Sequence, residues 1–408
     1  MLIEHADVRL CLLIIHHKFE IIRYRFYKYL QQCYTAAIPL IIKGLYVMLI
    51  HMDGFDTYAT QEQLWFSGYY TFTANVLDIL VGIGTTSGRF GQGALIFGNT
   101  EAMLLKNFSQ PLTEIWTGIA INVISQTGFG LPGTVMSFLS AVGYEAQITF
   151  LLNTGEWAAW WGNGMAQNPP YPPPLATGNY TISANSWHWL EVHYKITTTP
   201  NEGIIELFID GVQVFSNTSA NASINSQNVF YSVELGSPQG QNIACPIMNL
   251  DDWYIIDATD GGFNTSRLGD CRIETLIPTG DAGPNEGTPL VPGPHYEMVN
   301  ESQNNAGETF ITVPGVPSTE EVFSMSPLSS VPANIWGVRV LNIVEKNDGG
   351  ITYGNAVIRS GSVTAYGPYQ QILSGFFTQF GIFEIDPNTN SEWTFDSVNA
   401  ADAGFSIY

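Results

Sequence analysis

Residues 189–196 read WLEVHYKI, in which Leu190, Val192, Tyr194 and Ile196 alternate with Glu191, His193 and Lys195. A period of two puts one set on a buried face and the other in water, so this stretch predicts a strand with His193 solvated. After the loop TTTPNEG come IIELFI, Asp210-Gly211 and VQVF. Asp-Gly between two apolar runs predicts a tight hairpin, because both turn positions favour residues that tolerate positive φ. Further strands are expected at 93–97, 146–152, 229–235 and 252–257. No long helical period runs through the body. The pattern therefore predicts an all-β chain of stacked antiparallel sheets.

Punctuation divides the chain. PTGDAGPNEGTPLVPGP (278–294) is rich in proline and glycine and poor in apolar residues, which predicts a linker. Beyond it, 335–344 (IWGVRVLNIV), the turn KNDGG and ITYGNAVIR predict a second hairpin. A strand over 376–385, a short helix near 397–401 and a final strand over 404–408 would complete a smaller β-sandwich spanning 295–408. The larger sandwich would occupy 52–277.

Residues 1–51 do not match the rest. They are basic, rich in Leu, Ile and Tyr, and nearly free of glycine. The apolar stretch 36–50 is broken by Pro39 and Lys43 and falls short of the roughly 20 residues a membrane span needs. It also lacks a small-residue cleavage site. A start codon assigned too early, with the domain beginning near Met48 or Met52, is the simplest reading; an amphipathic helical anchor is the alternative.

The formal net charge is −22, and only 12% of residues are charged. Residues 51–408 hold eight Lys and Arg against 33 acids, a balance of −25. Such a surface repels phosphate backbones and argues against a nucleic-acid partner. Acidity also suits a protein held at high local concentration. Cys11, Cys33, Cys245 and Cys271 show no metal-ligand spacing. Cys245 and Cys271 read more simply as isolated thiols than as a disulfide.

DGFDTY (53–58), GRFGQGALIFG (88–98), SWHWLEVHYKI (186–196), IELFIDGVQVF (205–215) and LDDWYIIDATDG (250–261) together resemble a laminin-G-like, or concanavalin-A-like, jelly roll. RLGDCRIETLIPTGDAGPNEGTP (267–289) and WTFDSVNAADAGFSIY (393–408) extend the likeness. They resemble tailed-phage and prophage virion proteins, in which such a jelly roll precedes a second β domain. The resemblance covers about 52–408. It implies a virion structural protein, on capsid or tail, present in many copies beside other virion proteins and displayed on the particle. If the chain is not of phage origin, an extracellular or cell-surface place follows. A carbohydrate-binding adhesin that meets host-surface glycans is the alternative, and a glycan hydrolase ranks behind both.

Candidate chemistry is sparse, and the expectation is that the chain is not an enzyme, with no catalytic residue. It contains no E-x-D-x-x-E strand; Glu384-Ile385-Asp386 lacks the third acid. There is no G-x-S-x-G, no HExxH and no phosphate-cradling loop. Asp251, Asp252, Asp257 and Asp260 surround an apolar run. They are expected at strand ends and loop mouths, solvated by water, with Trp253 and Ile255 on one face and Tyr254 and Ile256 on the other. A calcium site is the alternative, although one segment supplies only part of the six to eight oxygens required; no cofactor is otherwise expected. Trp157, Trp160, Trp161 and Tyr171 cluster in sequence and could stack on sugar rings. The simpler expectation is that Trp157 and Trp161 share a strand face and pack into the core.

Overall fold

The computed structural model describes residues 48–408 except 67–68, 73–80, 92, 99–102, 126–131, 163–172, 222, 224–225, 237–245, 260, 304, 306, 315–318 and 348. The first sandwich is two facing antiparallel sheets. One runs, in spatial order, Val212–Ala220, Gly203–Ile209, Trp187–Lys195, Glu114–Ser125, Ile247–Asp257, Ala94–Phe97 and Val81–Gly84; Leu49–Asp53 also pairs with Ile247–Asp257. The other runs Ala176–Asn179, Glu156–Trp161, Gly143–Leu151, Gly133–Ser140, Phe230–Gly236, Met103–Leu112 and Thr71–Phe72. Leu190, Val192 and Tyr194 project from the first sheet into a core shared with Phe138, Ile148 and Phe230 of the second. The tight turn is as expected: Ile209 faces Val212, with Asp210 at φ 50° and Gly211 at φ 79°. This is a jelly roll, its strands passing back and forth between the layers.

The second, smaller sandwich sets the sheet Pro278–Asn285, Thr319–Met325, Asp402–Ile407, Thr352–Ser360 and Val363–Tyr366 against a two-stranded layer, Val338–Lys346 with Gly375–Phe383. Gln370–Ile372 also joins Thr352–Ser360. Val340, Ala356, Ile358, Trp393, Val398 and Ala401 form its compact core. A cavity of about 1080 Å³ remains, lined among others by Phe323, Ile343 and Phe405. The closing helix is Phe395–Asn399, capped by the Thr394 hydroxyl accepting from Ser397 N while Ser397 Oγ accepts from Thr394 N.

Three expectations are corrected. Val338–Lys346 and Thr352–Ser360 do not pair with each other; the first pairs with Gly375–Phe383 and the second with Asp402–Ile407. The strands on either side of KNDGG thus lie in different layers. The stretch 278–294 is not a free linker, because Pro278–Asn285 is the edge strand beside Thr319–Met325. An edge position tolerates proline, and a register shift between Asp281 and Asn285 takes up the extra residues. The first sandwich also begins before residue 52, since Leu49–Asp53 is a strand within it. Residues 48–408 form one compact unit. Residues 1–47, with Cys11 and Cys33, lie outside the described residues, as does Cys245. Cys271 is a free thiol whose titration burial pushes well above its usual range.

Candidate functional site

The aspartates of LDDWYIID are the point at which alternation fails. Asp251 faces Ala120 and Tyr254 faces Gly118 on the neighbouring strand, so three steps on one side match two on the other. This is a β-bulge, with Asp252 as the extra residue at φ 52°. The bulge turns both carboxylates toward chain that crosses the sandwich, and Asp251 and Asp252 are only 4% and 1% exposed. The expectation of solvated acids is wrong for this pair. Asp257, at the strand end, is half-buried and accepts from Thr259 N, in keeping with it; Asp260 lies outside the described residues.

Around the pair, loops converge. Asp251 accepts from Arg89 N and Asp252 N, both at 2.8 Å, and Asp252 accepts from Ile273 N at 2.6 Å. Arg89 forks onto both oxygens of Asp270 at 2.6 Å, donates to Cys271 O, and sits 3.7 Å from the second oxygen of Asp252. Asp56 accepts from Gly93 N at 2.8 Å and from the Thr275 hydroxyl at 3.2 Å. A side chain at Gly93 would meet Phe55 O at 2.3 Å, so only glycine lets these two segments approach. Burial, then the charge of Asp251, pushes Asp56 up to about 7; burial raises the Asp251–Asp252 pair well above the usual carboxylate range. The result is a clasp that fastens 267–277 across the jelly roll.

That strap explains a second correction. Trp253 and Ile255 share one face as expected, and it enters the core, but the opposite face is also covered. Tyr254 stacks with Trp189 at 6.0 Å and donates to Glu191, which also accepts from Gly269 N and pairs with Arg267. Glu191 is thus fully buried on the strand face expected to be wet. His193 is buried too, held between Glu206 and Glu114 at 2.9 Å each and stacked on Trp116 at 4.2 Å. Glu191→Ala would strand the Tyr254 hydroxyl, the Gly269 amide and Arg267. The expected loss is about 3 kcal/mol in urea unfolding, with faster proteolysis within 262–277.

A second buried network joins the two sandwiches. Asp53 accepts from the Tyr58 and Tyr70 hydroxyls and from Phe55 N, and Arg339 of the C-terminal sandwich lies 3.6 Å away while also donating to Met52 O. Lys106 sits 3.2 Å above the centre of the Tyr69 ring, and His51 Nδ1 is 2.8 Å from the Tyr69 hydroxyl. Burial drives His51 and Lys106 well below their usual pKa values and Tyr58 and Tyr70 well above. Glu384 completes the joint, accepting from Met48 N, Leu49 N and the Asn264 amide. The one remnant of a glucanase-like acid pattern is therefore a backbone anchor.

The other candidates part company. Trp157 is fully buried, stacked on Phe150 at 4.9 Å and donating to Tyr180 O, so it offers no surface to a sugar. Trp160 is half-buried and donates to the Thr149 hydroxyl; Trp161 is also half-buried. Trp160 alternates to the opposite face of its strand from Trp157 and Trp161, and Tyr171 lies outside the described residues. Among the described residues no group of three or more His, Cys, Asp or Glu is placed to hold a metal. Asp251 and Asp252 already receive amide hydrogens and face an arginine, which does not suit calcium. Also among the described residues, no helix is long and apolar enough to cross a membrane.

Sequence reasoning missed Arg89, Arg339, Glu191 and Glu384. The available signal was scarcity: of the eight cations in 51–408, Arg89, Lys195, Arg267, Arg272, Arg339 and Arg359 all pair with carboxylates.

Fold and clasp together define a two-part all-β sandwich protein with buried ionic joints. No protein-family model matches the chain, and no curated protein matches it. Among solved structures it is similar to the endo-β-1,4-glucuronan lyase of the fungus Trichoderma reesei, at 13% identity over 51% of this chain and 95% of that one, TM-score 0.35. An alginate lyase aligns at 12% identity over 50% and 95%, TM-score 0.35. A Bacillus subtilis protein of unknown function with a galectin-like fold aligns at 10% over 52% and 96%, TM-score 0.33. The two lyases overturn the expectation that the chain is not an enzyme, and that expectation goes no further.

Proposed function

We propose that the chain is a structural component of a tailed-phage particle, carried in many copies and displayed at its surface beside other virion proteins. One observation supports this reading above the rest. The stretch that most specifically resembles phage virion proteins, 267–289, is the strap and edge strand that lock one sandwich onto the other. In this reading the motif is a mechanical joint. It fixes two sandwiches as one body, as suits a component that must hold its outline on a particle. The acid excess would keep many neighbouring copies from aggregating. Mass spectrometry of purified particles is expected to recover the chain at many copies per particle. Its absence from intact particles, with the protein present in the lysate, would reject the assignment.

A further inference from the structure

Three tyrosines spread over 353–408 meet on the outer face of the C-terminal sheet, and Tyr366 shares that face through its pairing with Val357. Tyr353 and Tyr408 exchange backbone hydrogen bonds at 2.9 and 3.3 Å, which sets their side chains next to each other on adjacent strands. Tyr369, from the turn before Gln370–Ile372, lies across both. Its ring centre is 4.8 Å from that of Tyr353 at 13°, and 5.7 Å from that of Tyr408 at 41°. Tyr369 is nevertheless 59% exposed, so the ring face turned away from its two supports is open to water. Tyr366, 48% exposed, donates to Glu320 at 3.3 Å, and Ser406 and Asn355 continue the row from Glu320 across the sheet. Such a ring is expensive to leave wet, yet its orientation is set before anything binds, so little side-chain freedom remains to be lost.

We propose that this tyrosine platform binds a neutral glycan. The C–H-bearing face of a sugar ring is apolar and flat enough to lie on Tyr369, while its equatorial hydroxyls reach outward. Glu320 and the Tyr366 hydroxyl stand at the rim as their hydrogen-bond partners. Charge selects among glycans: a carboxylate at the rim, on a body with a balance of −25, repels uronate and sialate chains and leaves neutral sugars. The site goes beyond the particle assignment and is independent of Trp157, Trp160 and Trp161.

The test is a glycan array read with the full chain, carrying neutral hexose and N-acetylhexosamine oligosaccharides beside alginate and sialylated ones. Wild-type protein is expected to retain neutral oligosaccharides. Tyr369→Ala should bind them at least ten-fold more weakly at an unchanged melting temperature, and Tyr369→Trp should keep them. Retention of acidic glycans only, or of none, overturns the proposal, as does wild-type binding by Tyr369→Ala. Loss of particle incorporation by Tyr369→Ala with glycan retention intact would assign the rings to a protein contact and overturn it too. Recovery of the wild-type chain from purified particles does not depend on any glycan result, so the two readings fail separately.

Discussion

Replacing Arg339 with alanine is expected to destabilise the protein by about 3–5 kcal/mol and to loosen one sandwich from the other. The guanidinium is one of very few cations in an acidic body, and it is buried against a buried Asp53. Removing it leaves that carboxylate with tyrosine hydroxyls, one amide and the more distant charge of Lys106, and leaves Met52 O without that donor. The cost is that of an uncompensated buried charge, which exceeds the net worth of the pair itself. Asp53→Asn combined with Arg339→Met removes both charges and should recover part of the loss. Urea unfolding measures the first effect, and limited proteolysis between the sandwiches measures the second. A change below about 1 kcal/mol in Arg339→Ala would show that the joint is held by apolar contacts instead.

The clasp should weaken as pH rises from about 4 to 8. Asp56 titrates near 7 in the fold and near 3.8 when unfolded. Below 3.8 both states are protonated and its contribution is complete. Between the two values the unfolded chain releases the proton while the fold keeps it, so stability declines with pH, and above 7 the contribution is gone. At about 1.4 kcal/mol per unit, Asp56 alone accounts for a loss on the order of 4 kcal/mol. Asp251 and Asp252 act in the same direction. His51 and Lys106, with lowered values at the other joint, act in the opposite direction. The measurement is therefore a difference: Asp252→Asn keeps the acceptor for Ile273 N and the left-handed backbone asparagine tolerates, but cannot ionise. Its stability and the exchange of the Ile273 amide should vary less with pH than in wild type. Identical profiles would remove titration of the clasp as a source of pH dependence.

Much of the architecture was legible because two-residue alternation and turn chemistry are local. Leu190, Val192 and Tyr194 point inward as the pattern required, and Asp210-Gly211 adopts the positive φ values that its turn demands. Three kinds of information were not local. A bulge is one extra residue, and nothing in DDWYIID announces that Asp252 is that residue. Whether a polar face is wet depends on what crosses it, so Glu191 and His193 read as solvated until the strap and their partner acids are in place. A turn signal such as KNDGG marks a reversal without saying whether the flanking strands share a layer. The tyrosine platform was invisible for a related reason: Tyr353, Tyr369 and Tyr408 become neighbours only through strand pairing.

Glu384 has a consequence for biosynthesis. The amide hydrogens of Met48 and Leu49 end on its carboxylate, 336 and 335 residues further along the chain, and the strand they open lies against Ile247–Asp257. During translation this strand can pair with Ile247–Asp257 once that segment has left the ribosome, but the two amides that open it must wait for residue 384. Contacts of such long sequence separation slow folding and leave those two amides open to wrong partners in the meantime. A nascent chain stalled shortly before position 384 should thus leave the Met48 and Leu49 amides in rapid hydrogen exchange, and one extended well past that position should protect them.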